Sequence, residues 1–174
     1  MKLTQLLTHG KKLVGLGEDG IPYEILKLKK WPMPKKLSVT ISNAGTTLAE
    51  RIATLKFSYV NSDITDKNFP DPGQVRGKLE LFENKKTMTT KEIEAQMEKD
   101  GLLQANLSEL LAYAKDGWDG KTWCVALGSS WVPPGSGRLV PCLDRDGGER
   151  RLYLVWGDPE DRWYESYRFV AVRK

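Results

Sequence analysis

The chain is 174 residues long, with 40% hydrophobic and 29% charged residues and 27 basic against 23 acidic side chains, a net charge of +4. This is room for one ordinary domain with an appendage and for a core that needs no covalent staples, and the composition excludes wholesale disorder. The basic excess is too small to be the footprint of a dedicated nucleic-acid binder, and no apolar run approaches the roughly 20 residues that span a bilayer.

Leu3, Leu6, Leu7 and Leu13 have the rhythm of a short amphipathic helix, ended by the glycines from Gly10 to Gly20. The segment has neither the apolar length nor the small-residue cleavage pattern of a signal peptide, so the expected location is cytoplasmic. Ile21 to Lys29 and Leu37 to Ile41 are predicted as strands, the second because Leu37, Val39 and Ile41 alternate with Ser38 and Thr40. Between them, within the basic Lys27–Lys36 segment, Lys29, Lys30, Lys35 and Lys36 flank Trp31. Such a segment can neutralise phosphates and stack a base, which makes nucleic acid a possible partner. It reads equally as a proline-stiffened connection with solvated charges.

Thr47-Leu48-Ala49-Glu50 is spaced as a capping box and predicts a helix with Leu48, Ile52 and Leu55 on its inner face. The polar run from Asn61 to Gly73, with Pro70 and Pro72, marks a loop and a boundary between an N-terminal accessory region, 1–73, and a second domain, 74–174. Leu79 to Phe82 is a strand after a bend at Gly77. Thr89-Thr90-Lys91-Glu92 is a second capping box, and Met88 with Ile93 is spaced as a hydrophobic staple for a helix that ends at Asp100-Gly101. Asn106-Leu107-Ser108-Glu109 is a third, opening a helix whose Leu107, Leu110, Leu111 and Ala114 face a core. Beyond Gly117 come short strands at Thr122 to Leu127, Arg138 to Leu143, Leu152 to Trp156 and Tyr167 to Val172. The fold class is therefore α+β, with helices preceding a twisted antiparallel sheet.

In the strand Arg151-Leu152-Tyr153-Leu154-Val155-Trp156, successive side chains point to opposite faces. Leu152, Leu154 and Trp156 suit a core, which leaves Arg151, Tyr153 and Val155 for display. The run from Gly157 through Asp158 to Arg162 is a loop, and Trp163, Tyr164 and Glu165 follow it. Arg151, Tyr153, Val155, Gly157, Asp158, Arg162, Tyr164 and Glu165 are the candidate ligand-binding residues, since Tyr, Trp and Arg give much contact area for little rotamer entropy. The plain alternative is a strand and turn with one exposed tyrosine.

From Leu103 onward three stretches follow in order: Leu103-Gln104-Ala105-Asn106-Leu107-Ser108-Glu109-Leu110-Leu111-Ala112-Tyr113-Ala114, then Gly128-Ser129-Ser130-Trp131, then Arg168-Phe169-Val170-Ala171-Val172-Arg173. Their order and spacing resemble the C-type-lectin-fold family that holds the formylglycine-generating, sulfatase-modifying-like domains and the variable proteins diversified by bacterial and phage retroelements. That family carries a capped helix, a G-G-S-W turn and a closing G-F-R-x-V-R strand. Arg168 stands here in place of the glycine and Val170 in place of the arginine. The resemblance implies a C-type-lectin-like scaffold for the last seventy residues or so, with a solvent-facing C-terminal surface that binds a protein or other macromolecular ligand without catalysis.

Catalysis finds little support in the residue inventory. A histidine facial site needs more than His9, the single histidine. Cys124 and Cys142 have neither C-x-x-C spacing nor a cationic neighbour in sequence, and they read as buried free thiols. Asp158, Glu160 and Asp161 around Pro159 read as turn charges rather than calcium ligands, and Asp144-Arg145-Asp146-Gly147-Gly148 as a hairpin connection. No cofactor or metal is expected.

Overall fold

The computed structural model describes the backbone of residues 6–9, 12–16 and 22–24, and residues 46–70 and 73–174 in full. The chain forms two compact units, Met1–Lys35 and Lys36–Lys174. The first holds a three-stranded antiparallel sheet of β1 (Leu6–His9), β2 (Lys12–Leu16) and β3 (Pro22–Glu24), in that order. Leu6 pairs with Gly15 and His9 with Lys12, so β1 and β2 run antiparallel side by side. The helix expected from Leu3, Leu6, Leu7 and Leu13 is a hairpin instead. Four leucines are a thin basis for a helical period, and Leu13-Val14-Gly15-Leu16 suits a short strand as well. β3 covers the beginning of the strand expected from Ile21 to Lys29, while the Lys27–Lys36 segment and Leu37–Ile41 lie outside the described residues.

In the second unit each helix begins at one of the three capping boxes. α1 (Leu48–Ala53) starts at Thr47, α2 (Thr90–Lys99) at Thr89 and α3 (Leu107–Asp116) at Asn106. In all three the cap side chain accepts from the N–H of a glutamate three residues on, and that glutamate accepts the cap's own N–H at 2.8 Å. Two orphan donors are satisfied at each helix start, which fixes where the turn begins.

The strands are β4 (Tyr59–Val60), β5 (Leu79–Glu83), β6 (Met88–Thr89), β7 (Leu102–Gln104), β8 (Trp123–Val125), β9 (Leu139–Asp146), β10 (Glu149–Trp156), β11 (Arg162–Trp163) and β12 (Tyr167–Arg173). Seven of them make one sheet in the order β4-β10-β9-β8-β12-β5, with β7 also paired to β12, and β6 and β11 form a separate pair. The sheet is mixed rather than wholly antiparallel: β4 with β10 and β8 with β12 run parallel, pairings that chain segments so distant in sequence can make. β9 and β10 are the expected hairpin. Its two-residue connection is Gly147-Gly148, both at positive φ (56° and 95°), where a side chain would strain the turn.

Both faces of the sheet are covered. On one, Leu48 and Ile52 of α1 and Leu107 and Leu110 of α3 share a core with Cys124, Leu143, Leu152 and Val170. On the other, Ile93 and Met97 of α2 share a core with Val125, Val140, Cys142 and Phe169. The sequence-based boundary at residue 73 falls inside this unit, because Leu48, Ile52, Leu55, Ile64 and Phe69 are buried in the first core. The stretches 103–114, 128–131 and 168–173 meet at the start of α3. Gly128 N–H donates to Ala105 C=O (2.9 Å), Ala105 N–H to Val170 C=O (3.1 Å) and Leu107 N–H to Ser129 Oγ (2.8 Å). A Cβ on Gly128 would lie 2.6 Å from the Gln104 carbonyl oxygen, so the close approach requires glycine.

Candidate functional site

The α2 layer leaves one part of its sheet face open. There the strand register sets Arg151 beside Asp144 and Tyr153 beside Cys142 on β10 and β9, and Tyr167 beside Trp123 on β12 and β8. Trp163 of β11 is buried against this region, its indole N–H donating to Thr90 Oγ1 at the head of α2 (2.8 Å). Tyr167 packs edge-on against Trp123 (ring centroids 5.3 Å apart) and against Trp163 (5.1 Å), which in turn packs edge-on against Phe169 (5.4 Å). Edge-to-face contacts of this kind fix ring orientation and add to the burial energy. The result is a rigid aromatic floor. Over it lies a groove of about 350 Å³ lined by Tyr153, Val155, Asp161, Arg162, Trp163 and Tyr167 among others.

Exposed aromatics lie on both faces of this part of the sheet: Tyr59 and Tyr153 share the face of the groove, whereas Trp156 follows Leu152 and Leu154 on the opposite one. Tyr59, Tyr153, Trp156 and Tyr164 are four of the five exposed large apolar or aromatic side chains among the described residues, with Tyr164 exposed to 63%. Tyr59 stacks obliquely on Tyr153 at 6.0 Å. Asn84, itself buried, donates to the carbonyls of Trp163 and Tyr164 (3.0 and 3.1 Å), so the backbone beneath the exposed Tyr164 ring is anchored. Tyr167, half-buried, has its phenol pushed up in pKa by burial, which keeps it a neutral donor across ordinary pH.

No protein-family model, curated protein or solved structure matches the chain.

The eight residues chosen from the sequence divide into two groups. Tyr153, Arg162, Tyr164 and Glu165 are exposed, and of these Tyr153 and Arg162 line the groove. The other four are framework. Arg151 is held by Asp144 Oδ2 (2.6 Å) and Asp146 Oδ2 (2.8 Å), with its guanidinium over the Tyr153 ring, 5.7 Å from the ring centre. Val155 is half-buried against the α2 core, because that layer reaches as far as Val140, its partner across the strands. Gly157 is buried where a Cβ would meet Val140 at 2.9 Å, and Asp158 accepts the Arg138 N–H at 2.9 Å and so fixes the loop. Trp156, assigned inward from the alternation, is 54% exposed. It ends β10 opposite the half-buried Leu139, at the end of the strand pair, where cover from the core runs out.

Sequence reasoning missed Trp163 and Tyr167 as the floor, and Trp123 as the ring packed against Tyr167. Tyr167 and Phe169 do alternate with buried Val170 in the sequence, but the pairing of β12 with β8, which brings Trp123 alongside, leaves no local signal. The thiols take no part. Cys124 lies opposite Leu143 and Cys142 opposite Val125, so the two point to opposite faces of the sheet and are free. Burial pushes Cys124 up to about 12 and holds Cys142 well above the ordinary thiol value, so neither is a ready thiolate. Among the described residues no three His, Cys, Asp or Glu side chains gather as a metal site, and no helix is long and apolar enough to cross a membrane.

Proposed function

We propose that the chain is a binding protein that recognises a macromolecular ligand, most simply another protein, through the aromatic surface around Tyr153, Arg162, Tyr164 and Glu165, on a C-type-lectin-like scaffold. The observation that carries this reading is the exposure of Tyr59 and Tyr153 on the face whose floor is the locked pair Trp163 and Tyr167, with exposed Tyr164 following Trp163 in the chain. A preordered aromatic surface loses little entropy on binding, which is the property that makes such residues interface hot spots. The scaffold reading is supported by the convergence of Ala105, Gly128 and Val170, since the three stretches that resemble the family are hydrogen-bonded to one another. Membership of its retroelement-diversified subset would be marked by a reverse transcriptase beside the gene and a near-copy of the final coding segment differing at template adenines.

A second reading has one observation in its favour. Residues 1–35 hold seven basic and three acidic side chains, a balance of +4, while residues 36–174 hold twenty of each. The whole net charge thus falls in the first unit, where Lys27, Lys29, Lys30 and Lys35 supply four of the seven basic side chains, and would suit a nucleic-acid backbone. The two readings separate by affinity capture from the source cells. Tyr153→Ala with Tyr164→Ala is expected to lose the captured partner at unchanged melting temperature, each tyrosine contributing roughly tenfold in affinity. Charge reversal at Lys29, Lys30, Lys35 and Lys36 is expected to leave capture intact. The opposite pair of results, with affinity falling steeply in salt, would hand the function to the basic segment.

A further inference from the structure

Asp144 is a buried charge that the packing of the sheet does not require. Its side chain is 2% exposed, and one oxygen, Oδ2, accepts Arg151 Nη2 at 2.6 Å. The other, Oδ1, is buried without a hydrogen-bond partner, and so is Arg151 Nε. Buried polar atoms left unpaired cost stability, and folds in which apolar residues of similar size replace such an ion pair are often at least as stable. The next positions on this face take the apolar course, with Val140 opposite Val155 and Cys142 opposite Tyr153.

Register does not require the pair either. The Gly147-Gly148 turn fixes which residues of β9 and β10 face each other, and a slip of one residue would turn Leu152 and Leu154 out of their core. What the pair does fix is Arg151. With Asp144 on one Nη and Asp146 Oδ2 on the other, the guanidinium stays over the Tyr153 ring, 5.7 Å from its centre. Asp146 is 69% exposed, so solvent screens its hold and Asp144 is the anchor. Tyr59, beside Arg151 in the pairing of β4 with β10, meets the same ring at 6.0 Å. Tyr153 is itself 38% exposed, and a ring so exposed changes rotamer within nanoseconds unless its neighbours hold it.

We propose that Asp144 is a positioning residue of the aromatic surface: through Arg151 it holds the Tyr153 ring ready for a partner, and it is kept for that hold rather than for stability. The inference rests on the reading of Tyr153 as a contact residue. A ring already in place loses less entropy on binding, which is what an uncharged pair at 144 and 151 would give up.

Two double variants of the full chain test it, Asp144→Val with Arg151→Leu and Asp144→Leu with Arg151→Val, two shapes being used so that a misfit of one does not decide. In the better folded of them the melting temperature is expected to equal or exceed that of the wild type. The Tyr153 ring, read by aromatic carbon-13 relaxation, is expected to gain rotamer freedom, its order parameter falling below about 0.6. Asp146→Ala, which leaves Asp144 on Arg151, is expected to keep the ring ordered. A ring that stays ordered in both double variants overturns the proposal, as does a wild-type ring that is already mobile. A melting temperature lowered by several degrees in both would give the pair to the fold and overturn it equally, and a ring loosened by Asp146→Ala would move the anchor off Asp144. If the ring behaves as expected but Tyr153→Ala with Tyr164→Ala loses no captured partner, the reading of the surface fails and the hold of Asp144 on the ring stands.

Discussion

Glu109 is the side chain on which several parts of the second unit depend. It is fully buried, and its two oxygens accept the Arg76 N–H and Nε (2.9 Å each), Arg76 Nη2 (2.8 Å) and the Asn106 N–H (2.8 Å). One carboxylate thus completes the α3 capping box and fastens the segment before β5 to the same helix. Arg76 remains 44% exposed, so the ion pair itself is partly screened, and most of the stabilisation comes from charge-assisted hydrogen bonds to an otherwise buried group. Glu109→Gln is expected to cost about 2 kcal/mol, read as a lower urea midpoint at unchanged slope. The capping role was legible in Asn106-Leu107-Ser108-Glu109. The bond to Arg76 was not, because nothing within thirty residues of sequence announces it. The same limit explains the binding surface: Tyr153 could be placed outward from its own neighbours, but the engagement of Arg151 by Asp144 needed the hairpin register, and Trp163 needed Thr90.

At the level of elements, local chemistry foretold the helices better than the short strands. Three capping boxes and the Met88–Ile93 staple are completed within a few residues, so the sequence carries them whole. β4, β6, β7 and β11 are two or three residues long and exist only through partners far along the chain, so no period could mark them. The passage from α1 to β4 contains the one non-glycine residue at positive φ among the described residues, Lys56 at 52°. Its side chain is exposed, and the left-handed backbone there costs an L-residue about 1 kcal/mol or more, part of which glycine would return in unfolded-state entropy. Lys56→Gly is therefore expected to raise stability by about 0.5 kcal/mol, whereas Lys56→Ala, with a Cβ still in place, leaves the melting temperature nearly unchanged. A loss of stability in the glycine variant would mean that the lysine stem packs usefully against its surroundings.

For the whole molecule, ionisable groups limit the fold from both ends of the pH scale. Arg173 and then Lys78 hold Glu80 below its ordinary carboxyl value, and the Thr89 N–H does the same for Glu92. Burial pushes Asp119 up, but hydrogen bonds from Thr122 and Lys121 outweigh it and the net shift is downward. A carboxyl depressed in the fold contributes stability above its unfolded pKa, near 4, and loses it as pH falls through the folded value, so acid unfolding starts below about pH 4. The buried thiols act with the opposite sign. Unfolding lets Cys124 ionise from an ordinary value of 9.0, while in the fold it keeps its proton to about 12. Between those values the unfolded chain binds fewer protons, so stability falls as pH rises, by up to about 1.4 kcal/mol per pH unit for each such group. Cys142, fully buried on the other face of the sheet, adds to the same slope. Urea unfolding across the pH range is expected to give a plateau from about pH 5 to 8, with a decline setting in near pH 9. Cys124→Ala lowers the plateau through the small cavity it leaves, yet it also makes the alkaline decline shallower. An alkaline limb equally steep in that variant would mean that Cys124 reaches solvent in the folded chain, and the sheet between the two cores would then be open enough to admit water.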